Sequence, residues 1–257
     1  MLALALIFAF VGCGGFGDLN SRSNFQTYTM APEMYEHVLL GHNEGVDGPF
    51  TISKGTLKIG KDSKDVYVVA LHGTEFAAYY DENGKQTNIQ STGLITDFLS
   101  GFNLDSPYLA NVIKAIKEDD PANSNLYLVG HSLGGMIAQQ VAADKDIKDN
   151  YNVLYTLTFG SPLLSAGSRE GTTTRLGDTS DLIPYLSGSM FNNTLWAILG
   201  LNRENGGYVL DFGGAHNDSY RRPEIWGKYD VIGKKNGNAK LVLDLDTITF
   251  YKSPFFN

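Results

Sequence analysis

Gly130-His131-Ser132-Leu133-Gly134-Gly135 sets a serine between glycines, directly behind the apolar run Leu126–Val129 and ahead of Met136–Ala143. The pattern predicts a strand, a tight turn and a helix. A serine on such a strained strand-to-helix turn presents its Oγ at the carboxyl edge of a sheet, and the start of the helix faces any oxyanion formed there. The flanking glycines are expected because side chains at those positions would collide with the neighbouring strand and helix. The chemistry implied is nucleophilic attack by Ser132 on an acyl carbonyl. In a chain with 29 glycines a silent glycine-rich turn produces the same short motif, so the partners of the serine must decide.

A serine hydroxyl needs a base within hydrogen-bond reach, and the base needs an acid that fixes its tautomer. On this kind of turn the acid and then the histidine follow the serine in chain order. Of the five histidines, His37, His42, His72 and His131 precede Ser132, which leaves His216, expected in a loop spanning 213–220. The acid must lie between them and leave the end of a strand. Asp178 and Asp181 both follow the candidate strand Thr172–Gly177. Asp178 suits a turn cap, whereas Asp181 opens Asp181-Leu182-Ile183-Pro184, where the proline stiffens the chain behind the carboxylate. The residue pattern favours Asp181 and leaves Asp178 open. Two donors are needed for the oxyanion. The backbone N–H of Leu133 is one candidate, and Thr74, after Leu71-His72-Gly73, offers an N–H and a hydroxyl.

The elements that must hold these residues follow from periodicity. Pro32–Leu40 reads as a helix, and Thr56–Gly60 and Val66–Leu71 read as strands around the turn Lys61–Lys64. Ser106-Pro107 makes a helix start, with Leu109, Val112, Ile113 and Ile116 at helical spacing and Pro121 beyond the end. Leu126–Val129, Val153–Phe159 and Thr172–Gly177 are further strands, and the alternation over Leu241–Tyr251 predicts a solvent-facing edge strand. This order predicts an α/β fold, a mainly parallel central sheet with helices on both faces.

At 257 residues, 42% of them apolar, the chain is long enough to bury a large core. One domain is expected over 26–257, preceded by an apolar segment over 1–25. The net charge of −8 and the lack of a basic stripe argue against a nucleic-acid partner. Leu2–Val11 is shorter than the ~20 residues of a membrane-spanning helix but fits the apolar core of an export signal. Phe10-Val11-Gly12-Cys13 resembles a bacterial lipoprotein cleavage box, so export or anchoring through Cys13 is expected, with a buried apolar segment as the alternative. No Lys or Arg precedes the run, and Phe10 stands where leucine is usual.

Taken in order, Leu71-His72-Gly73-Thr74, the segment around Ser132, Thr158–Pro162, Arg175 through Pro184, and His216 with Tyr220 resemble the class 3 (fungal-type) lipase family of α/β-hydrolases. The resemblance spans roughly residues 56–222. It implies Asp181 as the acid, Ser132 and His216 as nucleophile and base, Thr74 and Leu133 as the oxyanion hole, and hydrolysis of lipid carboxylic esters without metal or cofactor. The expected substrates are those of a triacylglycerol lipase or phospholipase. His72 departs from the arginine common in the family's oxyanion loop, and the single cysteine departs from its secreted fungal members. Phe76–Tyr80 with Asp81–Gln90 stands where the family carries a lid. Met190-Phe191 and Leu195–Leu199 are expected either to line an acyl site, to touch a membrane surface, or to pack as a core helix. No obligate protein partner is evident. The alternatives are an esterase for small soluble esters and a catalytically silent lipid-binding module.

Overall fold

The computed structural model describes residues 24–41, 49–73, 107–186, 198 and 200–251. Thr74, the segment 76–90, the N-terminal run with Cys13, Ser106 and nearly all of 190–199 lie outside the described residues. Nine described strands form one sheet, in the order β1-β8-β2-β3-β4-β5-β6-β7, with β9 also paired to β2. They are β1 (Phe25–Tyr28), β2 (Phe50–Ile59), β3 (Asp62–Leu71), β4 (Asn125–His131), β5 (Asn152–Phe159), β6 (Thr172–Asp178), β7 (Leu201–Glu204), β8 (Lys240–Asp244) and β9 (Thr249–Tyr251). From β3 to β7 every neighbouring pair is parallel, and the pairings among β1, β8, β2, β3 and β9 are antiparallel. The helices are α1 (Ala31–Leu39), α2 (Pro107–Asp119), α3 (Leu133–Ala143), α4 (Lys145–Asn150), α5 (Phe212–Asn217) and α6 (Pro223–Trp226). The fold is α/β, a mixed sheet whose β3 to β7 run is parallel, with helices on both faces.

The near-continuous apolar strands are explained by those two faces. On β4, Leu126 and Leu128 meet α2 and α3, where Val112, Ile116, Ile137, Ala138 and Val141 pack. Tyr127 and Val129 point the other way, into a core shared with Met34, Tyr35 and Val38 of α1 and with Trp226 of α6. Successive strand residues face opposite sides, so a strand buried on both must be apolar throughout. Helices α2 and α3 sit on one face because they connect adjacent parallel strands, β3 to β4 and β4 to β5, with one crossover hand.

Two expectations change. The strands β2 and β3 run right up to a two-residue turn at Gly60-Lys61, with Ile59 opposite Asp62, so Asp62–Lys64 are exposed strand and not turn. Gly60 takes φ 62°, the left-handed conformation that tight hairpin turns demand. The segment Leu241–Tyr251 is not one edge strand. It breaks at a 3-10 turn over Leu245–Thr247, and β8 is sandwiched between β1 and β2. Leu241 and Leu243 are therefore completely buried. Their alternation reports one covered face, which an inner antiparallel strand shares with an edge strand. Among the described residues no helix is long and apolar enough to cross a membrane.

Candidate active site

The carboxyl ends of β3, β4, β5 and β6 converge at one edge of the sheet, and Ser132 stands there between β4 and α3. Its backbone takes φ 53° and ψ −121°. A non-glycine residue in such a region costs on the order of 1–3 kcal/mol, which the surroundings must offset. They do so by tethering both sides: the Ser132 N–H donates to the Phe159 carbonyl at 2.9 Å, and the Ser132 carbonyl accepts from the Met136 N–H at 3.2 Å. The glycine at 134 is a matter of space. A Cβ there would lie 2.1 Å from the Leu71 carbonyl oxygen and 2.6 Å from that of His72.

Around the serine the structure brings together three of the residues singled out by sequence. Ser132 Oγ lies 2.9 Å from His216 Nε2, and His216 Nδ1 lies 2.9 Å from Asp181 Oδ2. All three are buried. In the arrangement these distances allow, the serine hydroxyl donates to Nε2 and the Nδ1–H donates to the carboxylate. Asp181 is fixed further: Oδ1 accepts the Ile183 N–H at 3.0 Å and Oδ2 accepts the Tyr220 hydroxyl at 2.7 Å. Pro184 follows in a 3-10 turn over Ile183–Tyr185, held by the buried Arg175, whose Nη2 donates to the Pro184 carbonyl at 2.6 Å.

Asp178, the other candidate acid, faces elsewhere. Its Oδ1 accepts from the Ser180 N–H at 2.8 Å, and its Oδ2 from the Gly206 N–H at 2.8 Å and the Ser219 hydroxyl at 2.5 Å. The carboxylate is completely buried and spent on local donors, which ties the end of β6 to the segments after β7 and around Ser219. Tyr220 links the two aspartates, because its oxygen also accepts the Asp178 N–H at 3.1 Å. Burial pushes the Tyr220 hydroxyl pKa well above 10, so it stays a donor toward Asp181.

His216 is not in a loop. It lies in α5, whose start is capped by Asp211 accepting the Gly214 N–H at 2.9 Å. Of the two oxyanion candidates, Leu133 is the first residue of α3, where an N–H has no intrahelical acceptor. Thr74 lies outside the described residues, but Gly73 beside it comes up against the nucleophile. A Cβ on Gly73 would be 2.8 Å from both the His131 carbonyl oxygen and Ser132 Cβ.

Three contributors escaped the sequence reading. Gly160, at φ 54°, lets the end of β5 pass over the acid–base pair, since a Cβ there would meet Asp181 Oδ2 at 2.8 Å and His216 Nδ1 at 3.0 Å. Tyr220 was part of a motif but had no role. His131 was set aside as a base because it precedes Ser132, yet its Nε2 lies 2.9 Å from the His216 carbonyl oxygen. A glycine at a strand end was the one available signal for the first; nothing in the sequence marks the contact made by the third. In the segment just before α5, Val209 and Leu210 are 83% and 84% exposed, and Phe212 of α5 and Leu182, next to Asp181 in sequence, are also exposed. Phe212 is one helical turn before His216 in α5. Among the described residues, no three histidine, cysteine, aspartate or glutamate side chains are grouped to hold a metal ion.

A strained serine, a histidine and an oriented carboxylate in series can move a proton off Oγ as it attacks an electrophilic carbon, and return it to a leaving group. No curated protein and no solved structure matches the chain. A family model described as "PGAP1-like alpha/beta domain" matches residues 97–178, about a third of the chain, running from before α2 through β6 and including Ser132. The likeness is to an α/β-hydrolase-type, lipase-like family and is not specific to class 3 lipases.

Proposed function

We propose that the protein is a serine hydrolase that cleaves carboxylic ester bonds of lipids, as a lipase or phospholipase, through an acyl-enzyme. The observation that carries this reading is the unbroken series Ser132 Oγ, His216 Nε2, His216 Nδ1 and Asp181 Oδ2, with both links at 2.9 Å. Ser132 Oγ attacks the ester carbonyl while His216 Nε2 takes its proton. Collapse of the tetrahedral intermediate passes that proton to the leaving alcohol and leaves Ser132 acylated. Water then attacks the acyl carbon, giving its proton to His216, and the Ser132 oxygen leaves with that proton. The Leu133 N–H and a second donor at Thr74 hold the oxyanion, each contributing on the order of 3 kcal/mol.

The lipid side of the reading is supported by the exposed Leu182, next to Asp181 in sequence, and the exposed Val209, Leu210 and Phe212, in and just before the helix that carries His216. Leu210 takes φ 62°, a backbone state unusual for a leucine and strained. Contact of this rim with an aggregated lipid surface is part of the proposal, as is lipid anchoring or export through Cys13 and a single hydrolase domain over 26–257. The test is incubation of wild type and Ser132→Ala with mixed lipids, with products read by mass. Free fatty acid released by the wild type alone supports the reading. Cleavage of soluble short-chain esters with no activity on emulsified or vesicular lipid points instead to a small-ester esterase.

A further inference from the structure

Helix α5 has six residues, too few to hold itself in place, and the carbonyls of its last turn lack intrahelical partners. Two side chains from distant elements fill them. His131 Nε2 lies 2.9 Å from the His216 carbonyl oxygen, so that nitrogen carries the hydrogen and donates. Tyr35 of α1 donates its hydroxyl to the Asn217 carbonyl at 2.7 Å. The two clamps also touch each other, with the rings of Tyr35 and His131 edge-on at 5.1 Å. His131 is buried, its ring is 4.6 Å from that of His216, and burial with the neighbouring His216 and His72 holds its pKa well below 6.5. It is therefore a neutral donor at the pH where a histidine base works.

Two consecutive residues of the elbow thus reach the same histidine by different routes. Ser132 holds the ring, and His131 holds the backbone. The first link cannot survive acylation, because the Ser132 oxygen then carries the acyl group and has no proton to donate. The second involves neither reacting atom.

We propose that His131, seconded by Tyr35, is a positioning residue that keeps His216 in register while Ser132 is acylated, so that its main effect falls on deacylation. In that step water forms the new C–O bond, His216 Nε2 takes the water's proton, and the Ser132 C–O bond breaks as the proton passes to Oγ. With the His131 link lost, the base keeps its tie to Asp181 and the Tyr35 bond to the next residue's carbonyl, but loses the backbone anchor that acylation leaves intact.

The proposal rests on the ester-hydrolase reading, and the test separates the two. Wild type, His131→Leu, His131→Gln and Tyr35→Phe are mixed rapidly with a chromogenic acyl ester, and the burst and the steady state are read separately, with thermal melts alongside. His131→Leu is expected to keep a stoichiometric burst while its steady-state rate falls about tenfold or more, with fatty acid remaining bound to Ser132. His131→Gln, which restores an N–H donor, is expected to recover most of that loss, and Tyr35→Phe to show the same imbalance more weakly. Should the leucine variant not fold, Tyr35→Phe alone reads the imbalance. Equal slowing of both phases, no slowing in a folded variant, or a glutamine variant no better than leucine overturns the proposal. A wild type that turns over no ester overturns the hydrolase reading instead.

Discussion

Asp178 and Asp181 are both buried carboxylates at the end of β6, and their hydrogen bonds give them different work. Asp181→Asn takes away the carboxylate that fixes the His216 tautomer and is expected to lower kcat by about 10⁴-fold; because it also weakens bonds to Ile183 and Tyr220, it is expected to lower stability by about 1–3 kcal/mol as well. Asp178→Asn leaves the Ser132–His216–Asp181 series in place but weakens bonds to Gly206, Ser219 and Ser180, and is expected to lower stability by about 1–3 kcal/mol while sparing most of kcat. Steady-state kinetics beside urea unfolding checks the pair, and a reversed pattern would exchange the two roles. Chain order alone made His216 legible, because only one histidine follows Ser132. The aspartates were not separable that way. The two lie three residues apart at the end of the same strand, and which one faces His216 depends on how Ser219, Gly206 and Tyr220 return from later in the chain.

At the scale of elements, the site is held by strand ends that pass very close to one another. The Gly160 backbone occupies the space beside Asp181 and His216 where a methyl group would collide, and its φ of 54° is itself unfavourable for alanine. Gly160→Ala is expected to retain the secondary structure by circular dichroism yet lose kcat by about 100-fold, since small displacements of reacting groups carry that cost. The same crowding explains which elements the sequence announced. Strands β3 to β6 and helices α2 and α3 are covered on their sheet-facing sides and show it in apolar runs and helical spacing. Strands β1 and β7 have only four residues each, too short for a period to stand out. The helical state of His216 was hidden because Phe212-Gly213-Gly214-Ala215 carries two glycines, which weaken helix propensity but let the chain pass Asp211 and Tyr208 closely.

For the whole molecule, two buried titratable groups away from the site give opposite slopes of stability with pH. Asp120, 5% exposed and with neither carboxylate oxygen hydrogen-bonded, has its pKa raised by burial from 3.8 to about 7. The folded state then binds more protons than the unfolded one between those values, so this contribution is complete below pH 3.8 and is lost as pH rises through 7. His37, buried in α1 with neither ring nitrogen hydrogen-bonded, has its pKa lowered by burial to about 4. Its contribution is present above 6.5 and is lost as pH falls toward 4. The two slopes oppose each other between about pH 4 and 6.5, leaving a net decline from Asp120 between about 6.5 and 7. Asp120→Asn is expected to raise Tm at pH 8 relative to wild type and to bring little change at pH 4; equal effects at both pH values would contradict this.

The α/β architecture and its convergence on Ser132 were legible from the order of strands and helices. What made the arrangement a site, the meeting of residues 84 and 35 positions apart in sequence, was not, because it depends on the parallel register that brings four strand ends to one edge. The most direct measurement is covalent labelling of the folded protein by a fluorophosphonate, located by peptide mass. A single adduct on Ser132, absent from Ser132→Ala and strongly slowed in a variant lacking His216, is the expected result. A folded wild type that takes up no label, or that takes it elsewhere than Ser132, contradicts the account.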